Sequence, residues 1–362
     1  MFVVTLLPAF SQSEPQAAFP EVHPDRTVTF RFSAPNAKEV AVNREGAEPL
    51  AMQRDEQGMW SATTAPLEPD FYSYTIHIDG VDVLDPQNPL ITPNLLNSAN
   101  KVHVPGPLAT SWELNDVPHG VVHRHFYRSG VVGDERDFYV YTPPGYDSEA
   151  KTRYPVFYLL HGYSDGAEGW IAVGRANVIL DNLIAQGKAK AMIVVMPLGY
   201  GTPEMLKYAW KAWEHEEFRQ NNFDKFSLAL MTELIPKIRS AYRISDDPEN
   251  HAIAGLSMGG SESLLTGLKN LNYFAWVGSF SAGGMTEQFD QEFSGLDSNA
   301  NKRLKLLWVA CGTDDHLITI NRKFREWLKT KGVEHKDIET PGAHTWMVWR
   351  RNLTEFVSLL FR

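Results

Sequence analysis

Hydrophobic and polar positions follow two rhythms, and the change between them divides the chain. From residue 27 to about 104 the period is two. Thr27-Val28-Thr29-Phe30-Arg31-Phe32 alternates, and so does Phe71-Tyr72-Ser73-Tyr74-Thr75-Ile76-His77-Ile78. Such alternation marks strands with one buried face. Ala34-Pro35-Asn36-Ala37 and Asp79-Gly80 supply the turns between them. Short strands at this spacing predict an all-β, immunoglobulin-like sandwich over residues 25–105. Residues 1–24 precede it, and those from 12 onward read as a polar, proline-containing linker. Pro105-Gly106-Pro107 reads as a hinge between independent cores. Removal of residues 1–105 is therefore expected to leave the remainder folded.

Over residues 118–362 the pattern changes. Residues 121–127 and 137–142 still alternate and predict the first strands of a second sheet. After them, continuous apolar runs at 155–160, 191–196, 253–254 and 304–310 alternate with helical patterns at 176–186, 223–242, 261–268 and 321–331. Pro236 lies inside the second of these and predicts a kink. Buried runs alternating with helices imply a mainly parallel sheet covered on both faces.

The candidate chemistry sits at the ends of these runs. Gly255-Leu256-Ser257-Met258-Gly259 follows one apolar run and opens a helix. A serine between glycines on a strand-to-helix turn is a nucleophile elbow. The turn is crowded, glycine lacks the clashing Cβ, and the hydroxyl is pushed out above the sheet. The Met258 N–H, at the helix start, can face a developing oxyanion. Leu159-Leu160-His161-Gly162-Tyr163 offers a second donor, the Tyr163 N–H, while His161 reads as a hydrogen bonder that stabilises that loop. Downstream, Asp314 and Asp315 follow the run at 304–310, and His344 lies in a loop before the last helix. The order Ser, Asp, His is that of α/β-hydrolases, and only one of the two aspartates can face the histidine. The other caps the following turn. Trp170, Tyr208, Trp210 and Trp213 are candidate substrate aromatics, since a flat acid or sugar ring stacks on such side chains. The rival expectation for the last three is a loop anchored by its own core. His119, His123 and His125 lack the carboxylate or cysteine spacing of a zinc site.

Composition narrows the options. The 362 residues are enough for two domains, with 43% hydrophobic and 22% charged positions. A net charge of -10 argues against nucleic acid or an anionic membrane as the main partner. The single cysteine, Cys311, leaves no intrachain disulfide, cysteine zinc site or redox pair. No apolar run approaches the roughly 18 residues of a spanning helix. Residues 2–10 are apolar and Ala9-Phe10-Ser11 resembles a cleavage site, but no basic residue precedes them. The expectation is a secreted or periplasmic protein; the rival is a polar tail in the cytosol.

These segments resemble carbohydrate esterase family one, the feruloyl and acetylxylan esterases. The likeness runs over residues 120–362 and rests on Tyr141-Thr142-Pro143-Pro144-Gly145-Tyr146, Tyr158-Leu159-Leu160-His161-Gly162, Gly174-Arg175-Ala176-Asn177 followed by Asp181-Asn182-Leu183-Ile184, the elbow, Cys311-Gly312-Thr313-Asp314-Asp315, and His344 followed by Val348-Trp349. It implies an α/β-hydrolase fold with Ser257 as nucleophile, His344 as base and Asp315, rather than Asp314, as the acid. Residues 27–104 resemble the immunoglobulin-like module of glycogen-branching enzymes, through Asp85-Pro86-Gln87-Asn88-Pro89. They show no clear pair of starch-stacking tryptophans, so this module is expected to shape the cleft. The implied activity is hydrolysis of feruloyl esters on plant cell-wall polysaccharide or oligosaccharide, without a cofactor or metal. Acetylxylan and siderophore esters are the alternatives, and a glycan-binding protein with a dead esterase fold is the non-enzymatic one.

Overall fold

The computed structural model describes residues 20–107, 110–149, 151 and 153–362. The signal-like stretch at residues 1–11 lies outside them. Among the described residues no helix is long and apolar enough to cross a membrane.

Residues 121–340 build one eight-stranded sheet. Its strands are β1 (Val121–Arg128), β2 (Glu135–Thr142), β3 (Val156–Leu160), β4 (Ile193–Pro197), β5 (His251–Leu256), β6 (Trp276–Phe280), β7 (Leu306–Gly312) and β8 (Lys336–Thr340), in the order β1-β2-β4-β3-β5-β6-β7-β8. β1 and β2 join antiparallel, and β4 through β8 are parallel. Alternate side chains of β3 enter two separate cores. Val156, Tyr158 and Leu160 face one, Phe157 and Leu159 the other. Helices α1 (Ala176–Ala185) and α6 (Trp346–Leu359) cover the second face. Helices α2 (Glu216–Ala229), α3 (Ile235–Ala241), α4 (Met258–Lys269) and α5 (Ile318–Thr330) cover the first.

The kink expected at Pro236 takes the form of a π-helical stretch, Leu230–Leu234, between α2 and α3. Proline has no N–H to bond the carbonyl four residues back and its ring crowds that carbonyl; a widened turn relieves both.

Residues 21–104 form two antiparallel sheets around one core. One runs Glu21–Val22, Val28–Ser33, Met59–Thr63, Gln53–Arg54; the other centres on Val40–Arg44, Asp70–Ile78 and Ala99–Val104. Val28, Phe30, Val42, Trp60, Tyr74 and Ile76 fill the space between them. The Asp85-Pro86-Gln87-Asn88-Pro89 stretch is part of this architecture. The Tyr74 hydroxyl donates to Asp85 Oδ2 at 3.0 Å, and Asn100 bonds the backbone of both Asp85 and Asn88.

The two parts have separate cores but are tied together by a buried ion pair. Arg350 of α6 and Asp70 of the sandwich are both fully buried, and their Nη2–Oδ1 distance is 2.7 Å. The same guanidinium donates to the carbonyls of Val173 and Phe71. Phe71 packs against the second core of the large sheet. Removing the sandwich would break this pair and uncover Met347 of α6, which packs on the sandwich core, so residues 106–362 alone are expected to be less stable than the full chain, contrary to the reading of the Pro-Gly-Pro hinge. In the full chain, Arg350→Met should cost about 3 kcal/mol, because buried Asp70 loses its close partner and keeps only the more exposed Arg351, 3.8 Å away. The double change Arg350→Met with Asp70→Leu should cost less than the two single changes together. Thermal unfolding of the three variants checks both statements.

Candidate active site

Ser257 occupies the single residue between β5 and α4, with φ 51° and ψ -115°. This is a strained setting for a residue with a Cβ. Backbone bonds on either side fix it: Ser257 N–H donates to Phe280 O, and Gly283 N–H donates to Ser257 O, both at 2.9 Å. The flanking glycines are required by close approach. A Cβ on Gly255 would lie 2.5 Å from Gly259 O, and one on Gly259 would lie 2.4 Å from His161 O. The tight turn thus presses the start of α4 against the end of β3.

The structure brings three of the sequence candidates together. His344, in the loop between β8 and α6, has Nδ1 2.8 Å from Asp315 Oδ2 and Nε2 3.0 Å from Ser257 Oγ. A carboxylate only accepts, so Nδ1 carries the proton, Nε2 is bare, and the Ser257 hydroxyl donates to it. Asp315 is buried, and its Oδ1 accepts the Leu317 N–H at 2.8 Å. Burial pushes this carboxyl up, but the hydrogen bonds from His344 and the Leu317 N–H pull the other way, and the net displacement is downward. Asp314 is exposed and takes a hydrogen bond from the Thr313 hydroxyl at 3.2 Å.

Gly162 and Tyr163 line the same cleft as Ser257. Met258 opens α4, where a backbone N–H has no intrahelical partner. His161 lies behind this loop. Its Nδ1–H donates to Gly162 O at 2.7 Å and its Nε2 accepts the Gly199 N–H at 2.8 Å. Burial lowers its pKa to about 4, so it stays neutral and braces the loop.

The cleft encloses about 730 Å³. Trp210, Trp213, Tyr163 and Met285 give it an apolar wall. The Tyr163 ring meets Trp210 and Trp213 edge-on at 4.8 and 5.1 Å. Gly284, at φ 88°, makes room for Trp213, whose ring a Cβ there would meet at 2.4 Å. The buried indole N–H of Trp213 has no hydrogen-bond partner. Arg219, Glu45, Asn94 and Asp165 supply polar groups. Burial raises the Asp165 pKa to about 8, so it is protonated at neutral pH.

Two of the aromatic candidates lie elsewhere. Trp170 is fully buried, with its N–H donating to Leu160 O and its ring edge-on to Trp346; it has no face for a ligand. Tyr208 stacks on Phe218 at 5.3 Å, outside the cleft lining. His119, His123 and His125 take protein partners: Asp181, Thr142 and the Tyr242 hydroxyl. Among the described residues, the one group whose donor atoms could jointly hold a metal is Asp315, His316 and His344, within 4.8 Å of one another. Glu45, Asn94, Asp165, Arg219, His316 and Met285 were not anticipated from sequence. Only their positions in the fold bring them to Ser257.

A family model described as "Putative esterase" matches residues 129–360. The endo-1,4-beta-xylanase/feruloyl esterase of Xylanibacter ruminicola is 32% identical over 97% of this chain and 47% of its own length, so the chain spans about half of that relative. A ferulic acid esterase of carbohydrate esterase family one from Anaeromyces mucronatus superposes with a TM-score of 0.60 at 25% identity, over 71% of this chain and 96% of that one. The enterobactin esterase of Shigella flexneri reaches a TM-score of 0.68 at 20% identity, over 92% of both chains, a likeness of fold. With the elbow, the mainly parallel sheet and these matches in agreement, the chain belongs to this esterase family, within carbohydrate esterase family one.

Proposed function

We propose that the protein is a serine esterase that hydrolyses feruloyl esters on plant cell-wall xylan. The observation that carries this reading is the hydrogen-bonded sequence Asp315–His344–Ser257 at the floor of a cleft walled by Trp210, Trp213 and Tyr163. Ser257 Oγ attacks the ester carbonyl while its proton passes to His344 Nε2. The oxyanion takes hydrogen bonds from the Met258 and Tyr163 N–H groups. As the tetrahedral intermediate collapses, the sugar oxygen leaves with the proton from His344. Water then attacks the acyl-enzyme, His344 takes its proton, and Ser257 departs protonated as ferulic acid is released. Asp315 holds the imidazole in its reactive tautomer and stabilises its cation. No step calls for a metal or cofactor.

The aromatic wall supports an aryl acyl group over acetyl. The activities of the Xylanibacter and Anaeromyces relatives support the same choice. For a siderophore ester, the cleft charge is unfavourable. Among its described lining residues Arg219 is the one permanent cation. The sandwich fits an immunoglobulin-like module spanning residues 25–105, ahead of an esterase domain at 118–362. Secretion or periplasmic export fits a polysaccharide substrate.

A substrate panel tests the reading. Methyl ferulate should be turned over with a higher kcat/KM than acetylated xylan or a catecholate siderophore. Trp210→Ala and Trp213→Ala should each raise KM for methyl ferulate about tenfold, the worth of roughly 1.4 kcal/mol, and leave aryl acetate hydrolysis within about twofold. A burst of phenol from a phenyl ester separates an enzyme from an inert glycan binder. Equal losses on both substrates would remove the aromatic wall from acyl recognition.

A further inference from the structure

We propose that the N-terminal sandwich belongs to the catalytic apparatus: Asn94 holds the oxyanion loop and Glu45 holds the helix behind His344, each as a positioning residue. The inference rests on the esterase reading of the cleft. It makes the sandwich necessary for turnover of every ester, not only of large ones.

Asn94 is itself rigidly held. Its Oδ1 accepts the N–H groups of Leu96 and Asn97 at 3.0 and 2.9 Å, which fixes the loop. The same loop is anchored upstream by the buried bonds among Asp85, Asn88 and Asn100. This leaves Nδ2 to reach across the interface, where it donates to Ser164 Oγ at 2.9 Å and Asp165 Oδ1 at 3.2 Å. Leu95 N–H donates to Ser164 O at 2.7 Å. Ser164 directly follows Tyr163 and has φ 70°, a left-handed conformation that a residue with a Cβ keeps only when its surroundings enforce it. Three bonds from the sandwich enforce it here. They set the direction of the chain leaving Tyr163, and with it the aim of the Tyr163 N–H.

Glu45 acts on the segment that follows His344. Helix α6 begins one residue after the Thr345 N-cap, whose side chain makes no capping bond. The cap comes instead from the sandwich: Trp346 N–H donates to Glu45 Oε1 at 2.6 Å. Burial raises the Glu45 pKa, but in either protonation state a carboxyl oxygen can accept this N–H, which the first turn of the helix leaves without an intrahelical partner. Neighbouring Gly46 lies so close that an added Cβ would come within 3.0 Å of Met347 and 3.3 Å of Thr345. His344 immediately precedes this capped segment. The sandwich thus grips both the loop that carries one oxyanion donor and the loop that carries the base.

Full-length Asn94→Ala, Glu45→Ala and Glu45→Gln test the proposal on a small aryl acetate, which is too short to need the sandwich for binding. Asn94→Ala should lower kcat about tenfold with KM within about twofold, a part of the roughly 10²–10³ lost when an oxyanion donor is removed outright. The rate at which an aryl phosphonate labels Ser257 should fall by a similar factor, since its phosphoryl oxygen enters the same hole. Glu45→Ala should behave alike. Glu45→Gln should recover most of the loss, because its carbonyl oxygen can still accept the Trp346 N–H. If kcat and labelling rate stay within twofold of wild type in both alanine variants while Tm falls, the sandwich is only a brace and the proposal is wrong. A rise in KM alone would make these groups substrate contacts and overturn it equally. A wild type that labels but does not turn over the ester would defeat the esterase reading alone, and the ratio of labelling rates would still decide the positioning role.

Discussion

Replacing Ser257 by alanine is expected to remove essentially all ester hydrolysis, a loss of about 10⁶ in kcat if the three residues act as one unit. The protein should remain folded. The Ser257 side chain makes one hydrogen bond, to His344 Nε2 at 3.0 Å, and fills no core position. The bonds that hold the turn run through the backbone of Ser257, to Phe280 and from Gly283, and alanine keeps them. Alanine also inherits the strain of a φ of 51°. Ser257→Gly should therefore be equally inactive yet at least as stable, since glycine adopts that conformation without steric cost. Steady-state hydrolysis of an aryl acetate, together with thermal unfolding, separates the chemical from the structural contribution. A tenth of wild-type kcat remaining in Ser257→Ala would place the nucleophile elsewhere.

The tight turn at Ser257 could be read from sequence because its surroundings constrain the chain so closely. Gly255 and Gly259 each face a backbone oxygen at a distance that a Cβ cannot occupy, and that requirement leaves a local mark. Strands buried on both faces were equally visible, as Val156–Leu160 and Ile193–Pro197 are continuous apolar runs. Strand β8 was not. It lies at the edge of the sheet, where Lys336 and Asp337 are exposed and Glu339 pairs with Arg322 and Arg325 of α5, so no hydrophobic pattern remains. The first turns of α2 were missed for a related reason: they are largely solvated, and Glu216 and Glu217 suit the helix dipole without contributing to any apolar stripe.

Residues that act across the fold leave less trace. Glu45 bonds a backbone group 301 positions away, and Asn94 reaches 70 positions to Ser164. Neither belongs to a local motif, and each resembles an ordinary turn residue of a β-sandwich. Trp170 misleads in the opposite direction. Residue type marks it as a platform for a ring, but only tertiary packing shows that both of its faces are already covered, by Trp346 and Phe280 among others. The boundary at Pro105-Gly106-Pro107 separates two cores, but a break in local pattern carries no information about the Asp70–Arg350 pair that bridges them.

Asp314 and Asp315 show where sequence needs geometry, and they give the second large expectation. Asp315→Asn should lower kcat by about 10⁴, and Asp314→Asn by no more than a few fold. In the native site both oxygens of Asp315 accept hydrogen bonds, Oδ1 from the Leu317 N–H and Oδ2 from His344 Nδ1–H. An asparagine has one acceptor and one donor end, so it can satisfy only one of these partners in its present state. The Leu317 N–H is a backbone donor and cannot change, whereas histidine can shift its proton. The amide oxygen will therefore face Leu317 and the amide NH₂ will face His344. The imidazole must then carry its proton on Nε2, where it points at Ser257 and cannot accept the hydroxyl proton. The substitution also removes the negative charge that stabilises the imidazolium in the transition state. Asp314 touches neither partner; its side chain is exposed and accepts from Thr313. The comparison therefore isolates orientation of the base from the general acidity of the loop. Steady-state kcat on an aryl acetate for the two single variants is sufficient, and a larger loss at Asp314 would transfer the role to it.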